Sequence, residues 1–331
     1  MHKRERYFAM LNDDRAVHPF EWGLEHVGIR NKGDSLDQLT SFSRSMIGQS
    51  DEFFRDSDIL DENLDGDRLT WRSAVETPSN ENNTVYSRYF AASEGRSSAV
   101  VVLPHWNAKA GTYFDLCSLF DRIGISALRL TLPYHEERMP PELDRAEYLV
   151  GPNVGRTLQS VRQAVKDTRS AVRWLKNRGY KRVGIVGTSI GSCVAFLSFV
   201  HDTSIDAGVF NHVSGYFSDV VWKGLSTYHV RESLETAVTL EQLREIWLPI
   251  SPLAYIEKLA VQARRPQHYI YTRYDLTFPY DLSLDTMNAF RRHNIPHGET
   301  VLPCGHYTLG EKPWNYIDGY KIVSFLRKQL K

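Results

Sequence analysis

Short apolar runs that alternate with helical segments constrain the fold of this chain most strongly. Residues 99–103 and 125–130 are apolar at nearly every position, as strands buried on both faces of a parallel sheet are. Residues 183–186, 207–210, 268–271 and 299–302 complete the series of predicted strands. Helical spacing separates them, most clearly over residues 158–177, where apolar residues recur at three- and four-residue steps. The alternation predicts an α/β fold with a doubly wound, mostly parallel sheet.

The regions before this alternation, and one region within it, have different sequence patterns. Residues 1–68 show no strand alternation and predict a helical N-terminal extension packed on a core domain of residues 69–331. Residues 69–77 and 85–90 are β-prone and flank a turn-forming cluster, which predicts a hairpin and an antiparallel start to the sheet. Residues 215–265 contain no convincing strand. Since a structureless loop of that length is uncommon, they predict a helical cap insertion.

Composition excludes several classes of protein. Forty basic and forty acidic residues give a net charge of +0, so we expect no nucleic acid as a partner. The longest predominantly apolar run, residues 193–200, is far shorter than a membrane span, and no apolar segment follows the charged N-terminus. Three widely spaced cysteines fit reduced thiols rather than disulfides or a metal site. We therefore expect a cytoplasmic protein with no membrane span, no metal and no cofactor.

A GxSxG sequence directly follows one predicted strand. Gly187-Thr188-Ser189-Ile190-Gly191 lies between the run at 183–186 and a helical segment, which is where a nucleophile elbow belongs. The turn needs glycines two residues either side of the serine because side chains there would collide. It presents the Ser189 hydroxyl at a helix N-terminus, where developing negative charge is favoured. The alternative is an ordinary glycine-rich turn between a strand and a helix.

A nucleophilic serine needs a histidine base oriented by a carboxylate. Asp275 follows the strand at 268–271 and His306 follows the strand at 299–302, so both should lie at the carboxyl edge of the sheet with Ser189. The rival acids Asp281 and Asp285 come later, and Asp285 falls in a predicted helix. His293 and His297 precede the last strand and should lie at the opposite edge. The sequence therefore predicts a triad of Ser189, Asp275 and His306.

With these motifs in this order, the chain resembles the α/β-hydrolase superfamily, and within it a branch of uncharacterised predicted hydrolases. The resemblance covers roughly residues 69–331. It implies an oxyanion hole formed by the Ile190 N–H and an N–H from the loop after residues 99–103. In that loop His105-Trp106-Asn107 occupies the place of the family's His-Gly-X, so Asn107 corresponds to the donor, with Trp106 where the family has glycine.

The leading functional hypothesis is a serine hydrolase that cleaves a small-molecule carboxylic ester through an acyl-enzyme. A peptidase or thioesterase would use the same triad, and a catalytically silent binding protein is the alternative from another class. The same loop contributes His105 and Trp106 as candidate pocket residues, and His135 follows the neighbouring strand. In the cap, Trp222 and Trp247 are candidates for substrate contact. Alternatively, the cap aromatics pack against the N-terminal extension and never meet substrate. The sequence does not indicate an oligomeric state.

Overall fold

One nine-stranded sheet organises the computed structural model, which describes residues 1–11, 15–30, 33–93 and 97–331. The strands are β1 (Leu60–Asp65), β2 (Arg68–Arg72), β3 (Thr84–Phe90), β4 (Ser98–Leu103), β5 (Ser126–Leu130), β6 (Arg182–Thr188), β7 (Ala207–Asn211), β8 (Gln267–Thr272) and β9 (Gly298–Leu302). The helices of the first half are α1 (His2–Met10), α2 (Ser35–Gly48), α3 (Ser50–Phe53), α4 (Phe114–Arg122) and α5 (Val154–Asn177). Those of the second half are α6 (Ile190–His201), α7 (Phe217–Lys223), α8 (Tyr228–Leu234), α9 (Leu240–Ile246), α10 (Ile256–Val261), α11 (Tyr280–Arg292) and α12 (Trp314–Leu330).

The strand order is β1-β2-β3-β5-β4-β6-β7-β8-β9. The first three strands and the β3–β5 pair are antiparallel, and every pair from β5 to β9 is parallel. The predicted doubly wound sheet with an antiparallel start is confirmed. All carboxyl ends of the parallel strands therefore meet at one edge.

Alternation along the central strand explains why helices cover both faces of the sheet. Val101 and Leu103 of β4 point into a core shared with α5 and α6. Val100 and Val102 point the other way, into a second core shared with α4 and α12. Because successive strand side chains face opposite sides, an apolar strand needs a helical layer on each face.

The N-terminal region differs from the prediction in one element. Helices α1, α2 and α3 precede the sheet, but the last part of the predicted helical extension contains β1, which pairs with β2. Strand β1 is largely exposed and has no alternating apolar pattern, so it carries little sequence signal. Its backbone pairing, not side-chain burial, places it in the sheet.

Between β7 and β8 the chain leaves the sheet and folds as helices α7 to α10 joined by short 3₁₀ turns. Helix α9 begins with a capping box, in which the Thr239 side chain accepts from the Gln242 N–H and the Gln242 side chain accepts from the Thr239 N–H. This insertion packs against α2, where the Ser43 hydroxyl donates to the Ile246 carbonyl at 2.6 Å. Over the described ranges of the chain, no helix is both long and apolar enough to cross a bilayer.

Candidate active site

Ser189 lies at the sharp turn between β6 and α6. Its backbone φ is +57° and ψ is −124°, a region that side-chain-bearing residues rarely occupy. The turn is fixed by the Ser189 N–H, which donates to the Asn211 carbonyl at the end of β7, 2.8 Å away. Such strain persists only where surrounding structure imposes it, and it is commonly found at reactive groups. The residue is 6% exposed and lines a cavity.

The two glycines of the motif are required by backbone packing. A Cβ on Gly187 would lie 2.0 Å from the Gly191 carbonyl oxygen. A Cβ on Gly191 would lie 2.4 Å from the Pro104 carbonyl oxygen and 2.5 Å from that of Leu103. These neighbours are backbone atoms and cannot rotate away. The elbow therefore packs directly against the end of β4 and the loop that follows it.

We expect Gly187→Ala and Gly191→Ala each to lower the free energy of unfolding by about 3 kcal/mol or more, because overpacking against backbone has no side-chain relief. Denaturant unfolding of the purified variants measures this. Gly48→Ala is the matched control, since a Cβ at the end of α2 would meet nothing within 4 Å. Wild-type stability in Gly187→Ala would contradict the close packing of the elbow.

Asp275 and His306 are brought together by paired loops at the carboxyl ends of β8 and β9. The Arg273 N–H donates to the Leu302 carbonyl and the Tyr274 N–H to the Cys304 carbonyl, each at 2.9 Å. His306 Nδ1 then lies 3.2 Å from Asp275 Oδ2, and the imidazole stacks on the Phe278 ring at 5.5 Å. His306 and Ser189 line the same cavity.

The Asp275 carboxylate is buried and heavily hydrogen-bonded. Its Oδ1 accepts the N–H groups of Thr277 and Phe278 at 2.8 and 2.7 Å. Burial raises the pKa of a carboxyl group, but here the His306 charge and the contacts from two imidazoles outweigh burial and hold the Asp275 pKa below its usual value. Asp275 is therefore ionised at neutral pH and can orient an imidazole and stabilise its cation.

His212 is a site residue that the sequence reasoning missed. It follows β7 directly, and its Nδ1 lies 2.8 Å from Asp275 Oδ2. Its ring centroid is 4.5 Å from that of His306, so one carboxylate faces two imidazoles. Burial, then the neighbouring His306, lowers the His212 pKa. The signal was present, because His212 stands at the carboxyl end of a parallel strand just as Asp275 and His306 do.

These three residues also bear on metal binding. His212, Asp275 and His306 each offer one ligand atom, and the three atoms lie within 4.8 Å of one another, close enough to hold a metal ion. Both imidazole nitrogens are, however, at hydrogen-bond length from the same carboxylate oxygen. The Asp275 carboxylate is therefore placed to interact with either ring.

The loop expected to supply the second oxyanion donor is held in place by two hydrogen bonds of Asn107. The Asn107 N–H donates to His135 Nε2 at 2.8 Å, and the Asn107 side-chain oxygen accepts the Ala146 N–H. Burial lowers the pKa of His135 to about 3, so its ring is neutral, with Nδ1–H donating to the Pro133 carbonyl. In this arrangement the Asn107 N–H is already engaged. Ile190 begins α6, and the first N–H groups of a helix have no acceptor within it.

The cavity over Ser189 has a volume of about 1050 Å³. His105 and Trp106 are among its lining residues. Burial, then the nearby His306, lowers the pKa of His105 to about 4, and its Nδ1 lies 3.0 Å from the Tyr113 hydroxyl. His135 instead is buried and supports the loop through Asn107. The cavity also takes its walls from α1 and from the insertion, through residues that include Phe8, Ala9, Tyr216, Phe217 and Val220.

The two tryptophans proposed for substrate contact lie elsewhere. Neither Trp222 nor Trp247 is among the described residues that line the cavity. Trp247 is fully buried, packs edge-on against Phe217 at 5.5 Å, and donates its indole N–H to the Val154 carbonyl. Trp222 is partly exposed beneath the Arg231 guanidinium. The large apolar side chain of Trp247 indicates burial from sequence alone. It does not indicate which residues Trp247 contacts.

Solved structures with the same architecture include hydrolases of different substrate types. An acylaminoacyl peptidase from Pyrococcus horikoshii superposes with a TM-score of 0.61 at 13% identity, over 82% of this chain and 49% of the peptidase. This chain thus spans about half of the peptidase's length. Acetyl xylan esterase 1 from a Thermoanaerobacterium species gives 0.60 at 12% identity, over 93% and 97% of the two chains. A Pyrococcus furiosus esterase gives 0.55 at 14% identity, over 96% and 99%.

No protein-family model matches the chain, and no curated protein matches it in sequence. At 12–14% identity the structural likeness shows the fold alone. The predicted α/β-hydrolase fold is confirmed, and the neighbours that share it are esterases and peptidases.

Proposed function

We propose that this α/β-hydrolase-fold chain is a serine hydrolase that cleaves a carboxylic ester of a small molecule through an acyl-enzyme on Ser189. The observation that carries the proposal is a serine on a strained elbow that lines one cavity with a histidine bonded to a buried carboxylate. Together they supply the nucleophile, base and orienting acid of acyl transfer.

In the proposed mechanism His306 removes the proton of the Ser189 hydroxyl as the oxygen attacks the ester carbonyl carbon. Asp275 holds the ring and stabilises the imidazolium that forms. The protonated His306 then gives its proton to the departing alkoxide, leaving an ester between the acyl group and Ser189. Water, deprotonated by His306, attacks that ester, and His306 returns the proton to the Ser189 oxygen as the carboxylic acid leaves.

For the tetrahedral intermediate, the N–H of Ile190 is the donor that the elbow offers to the oxyanion. Its position at the start of α6 adds the favourable field of the helix N-terminus. Asn107 would have to exchange its bond to His135 for one to the oxyanion to serve as the second donor.

The cavity supports a small-molecule substrate. A volume of about 1050 Å³ is in the range of small-molecule sites, and helix α1 and the insertion enclose it from the sides. Peptidase and thioesterase activities use the same chemistry and are outcomes of the same test. Purified protein should hydrolyse chromogenic esters faster than matched thioesters and aminoacyl amides. A higher kcat/KM on the amides would make the protein a peptidase, and no Ser189-dependent turnover on any of the three would favour a silent binding protein.

Helix α7 of the insertion should set acyl-chain preference. Val220 lines the cavity, so Val220→Phe should fill space there and lower kcat/KM for the longest acyl chain accepted by about tenfold or more relative to an acetyl ester. Trp222→Ala, on the same helix but outside the lining, is the control and should leave the preference unchanged. A series of esters of increasing chain length measures both. Equal chain-length profiles in Val220→Phe and wild type would mean that the acyl chain does not reach Val220.

A further inference from the structure

Helix α1 buries a carboxylate against the loop that carries His306. Glu5 is 1% exposed, and its Oε1 accepts the Thr308 N–H at 2.8 Å and the Thr308 hydroxyl at 2.6 Å. Its Oε2 accepts the Tyr307 N–H at 3.0 Å. A buried carboxylate is costly unless hydrogen bonds replace its water, and these three donors do so. They all come from the two residues that follow His306.

The residue before His306 is also shaped to Glu5. A Cβ on Gly305 would lie 2.1 Å from the Glu5 carboxyl carbon, so only glycine allows this approach. The Gly305 N–H donates to the Thr308 hydroxyl at 2.8 Å, which in turn donates to Glu5. The backbone on both sides of His306 is therefore tied to one carboxylate of α1. The imidazole between these ties faces Asp275 and Phe278.

Helix α1 also borders the cavity itself. Phe8 and Ala9 are among its lining residues, one turn along the helix from Glu5. The Tyr307 hydroxyl bonds to the Ser226 hydroxyl of the insertion at 2.7 Å, so the loop that Glu5 holds also meets the insertion. The N-terminal extension thus reaches the mouth of the site through α1, in addition to the packing of α2 on the insertion.

We infer that α1 contributes to the active site through Glu5. Glu5 is a positioning residue that fixes the His306 loop in its catalytic geometry. The inference rests on the proposed function for its kinetic consequence but not for the contact itself. Glu5 touches no reacting atom. It acts by holding the backbone of residues 305–308, so its loss should misplace the imidazole relative to Ser189 while leaving the substrate-binding walls in place.

Hydrogen exchange tests the contact without reference to activity. In Glu5→Gln one carboxylate oxygen becomes an amide NH₂, which faces a backbone donor and cannot accept from it. We expect amide exchange in a peptide covering residues 303–310 to rise at least tenfold in the full-length variant. Glu21→Gln is the matched control, because Glu21 anchors the extension at the start of α5 through Asn153 and Arg156, outside the cavity lining. Unchanged exchange in Glu5→Gln would overturn the inference.

Kinetics test the positioning role. Glu5→Gln should lower kcat by roughly 10- to 100-fold while KM stays within about twofold, as displacement of a catalytic group does. Leu39→Ala controls for lost stability, since Leu39 is fully buried in the extension and outside the cavity lining. It should lower the melting temperature without lowering kcat in assays well below that temperature. Wild-type kcat in Glu5→Gln, with the wild-type protein active, would reduce Glu5 to a structural anchor and overturn the inference.

A double-mutant cycle gives a second measurement of the contact. Gly305→Ala should lower kcat in the wild-type background because its Cβ collides with Glu5. In a Glu5→Ala background the added Cβ has space. Gly305→Ala should therefore lower kcat by a factor at least ten times smaller than it does in the wild-type background. Additive effects would contradict the contact. Failure of the proposed function is recognised separately, as wild-type protein without Ser189-dependent hydrolysis.

Discussion

Ser189→Ala is expected to lower kcat for ester hydrolysis by roughly 10⁴–10⁶-fold, the largest effect of any single substitution in this chain. The variant removes the oxygen that attacks the carbonyl, and Ala at this position adds no atom to the crowded elbow. The Ser189 hydroxyl lines the cavity, whereas the contacts that hold the turn are made by its backbone and by its glycine neighbours. The fold should therefore survive the substitution.

The measurement is steady-state hydrolysis of a chromogenic ester by purified protein, with circular dichroism and thermal unfolding as checks on the fold. Ser192→Ala makes an informative control because the Ser192 hydroxyl bonds only to the Ser189 and His212 carbonyls among its described contacts. Ser192→Ala should lower the free energy of unfolding but should change the rate constant for acylation little. Hydrolysis at the wild-type rate in folded Ser189→Ala would remove Ser189 from the mechanism.

His306→Ala is expected to be nearly as severe as Ser189→Ala, because a serine hydroxyl is a weak nucleophile until a base removes its proton. The structure offers two imidazoles on Asp275, and their environments differ. His212 has a side chain that is 1% exposed and a pKa lowered by burial, so its cation is disfavoured. His306, with a side chain 13% exposed, stands on the loop that opens to the cavity. A base that becomes an imidazolium in the transition state is better placed at His306.

The two histidines can be separated by substituting each in turn. We expect His212→Ala to reduce kcat far less than His306→Ala, since it leaves Asp275 with one imidazole partner and two backbone donors. Asp275→Asn should be intermediate to severe, by about 10⁴-fold, because the amide would favour the wrong tautomer of the base. A larger loss in His212→Ala than in His306→Ala would reverse the assignment and make His212 the base.

Site residues that directly follow a parallel strand could be predicted from sequence, because they lie at the carboxyl edge of the sheet. Ser189, Asp275 and His306 each follow a predicted strand, and in the structure each of them follows the carboxyl end of a parallel strand. The same rule applied to Asn211 and His212 would have found the second imidazole.

Features set by packing between distant segments were not predictable. Glu5 carries no local signal, since a glutamate on a short charged helix is ordinarily exposed. Its burial depends on a loop about three hundred residues away. Trp247 and His135 were assigned to the pocket by size and chemistry, and the partners that hold them elsewhere, Val154 and Asn107, lie on separate elements. Strand β1, mostly exposed, lacked the alternation that reveals a strand.

Covalent labelling with a fluorophosphonate tests most directly whether Ser189 is the nucleophile. The modified residue is identified by intact-protein mass spectrometry and peptide mapping. We expect a single phosphonyl adduct on Ser189, formed rapidly in wild-type protein. In His306→Ala the adduct should form far more slowly, because Ser189 would lack its base. No adduct under conditions that label a known serine hydrolase, or an adduct on another residue with Ser189 unmodified, would contradict the claim that Ser189 is the nucleophile.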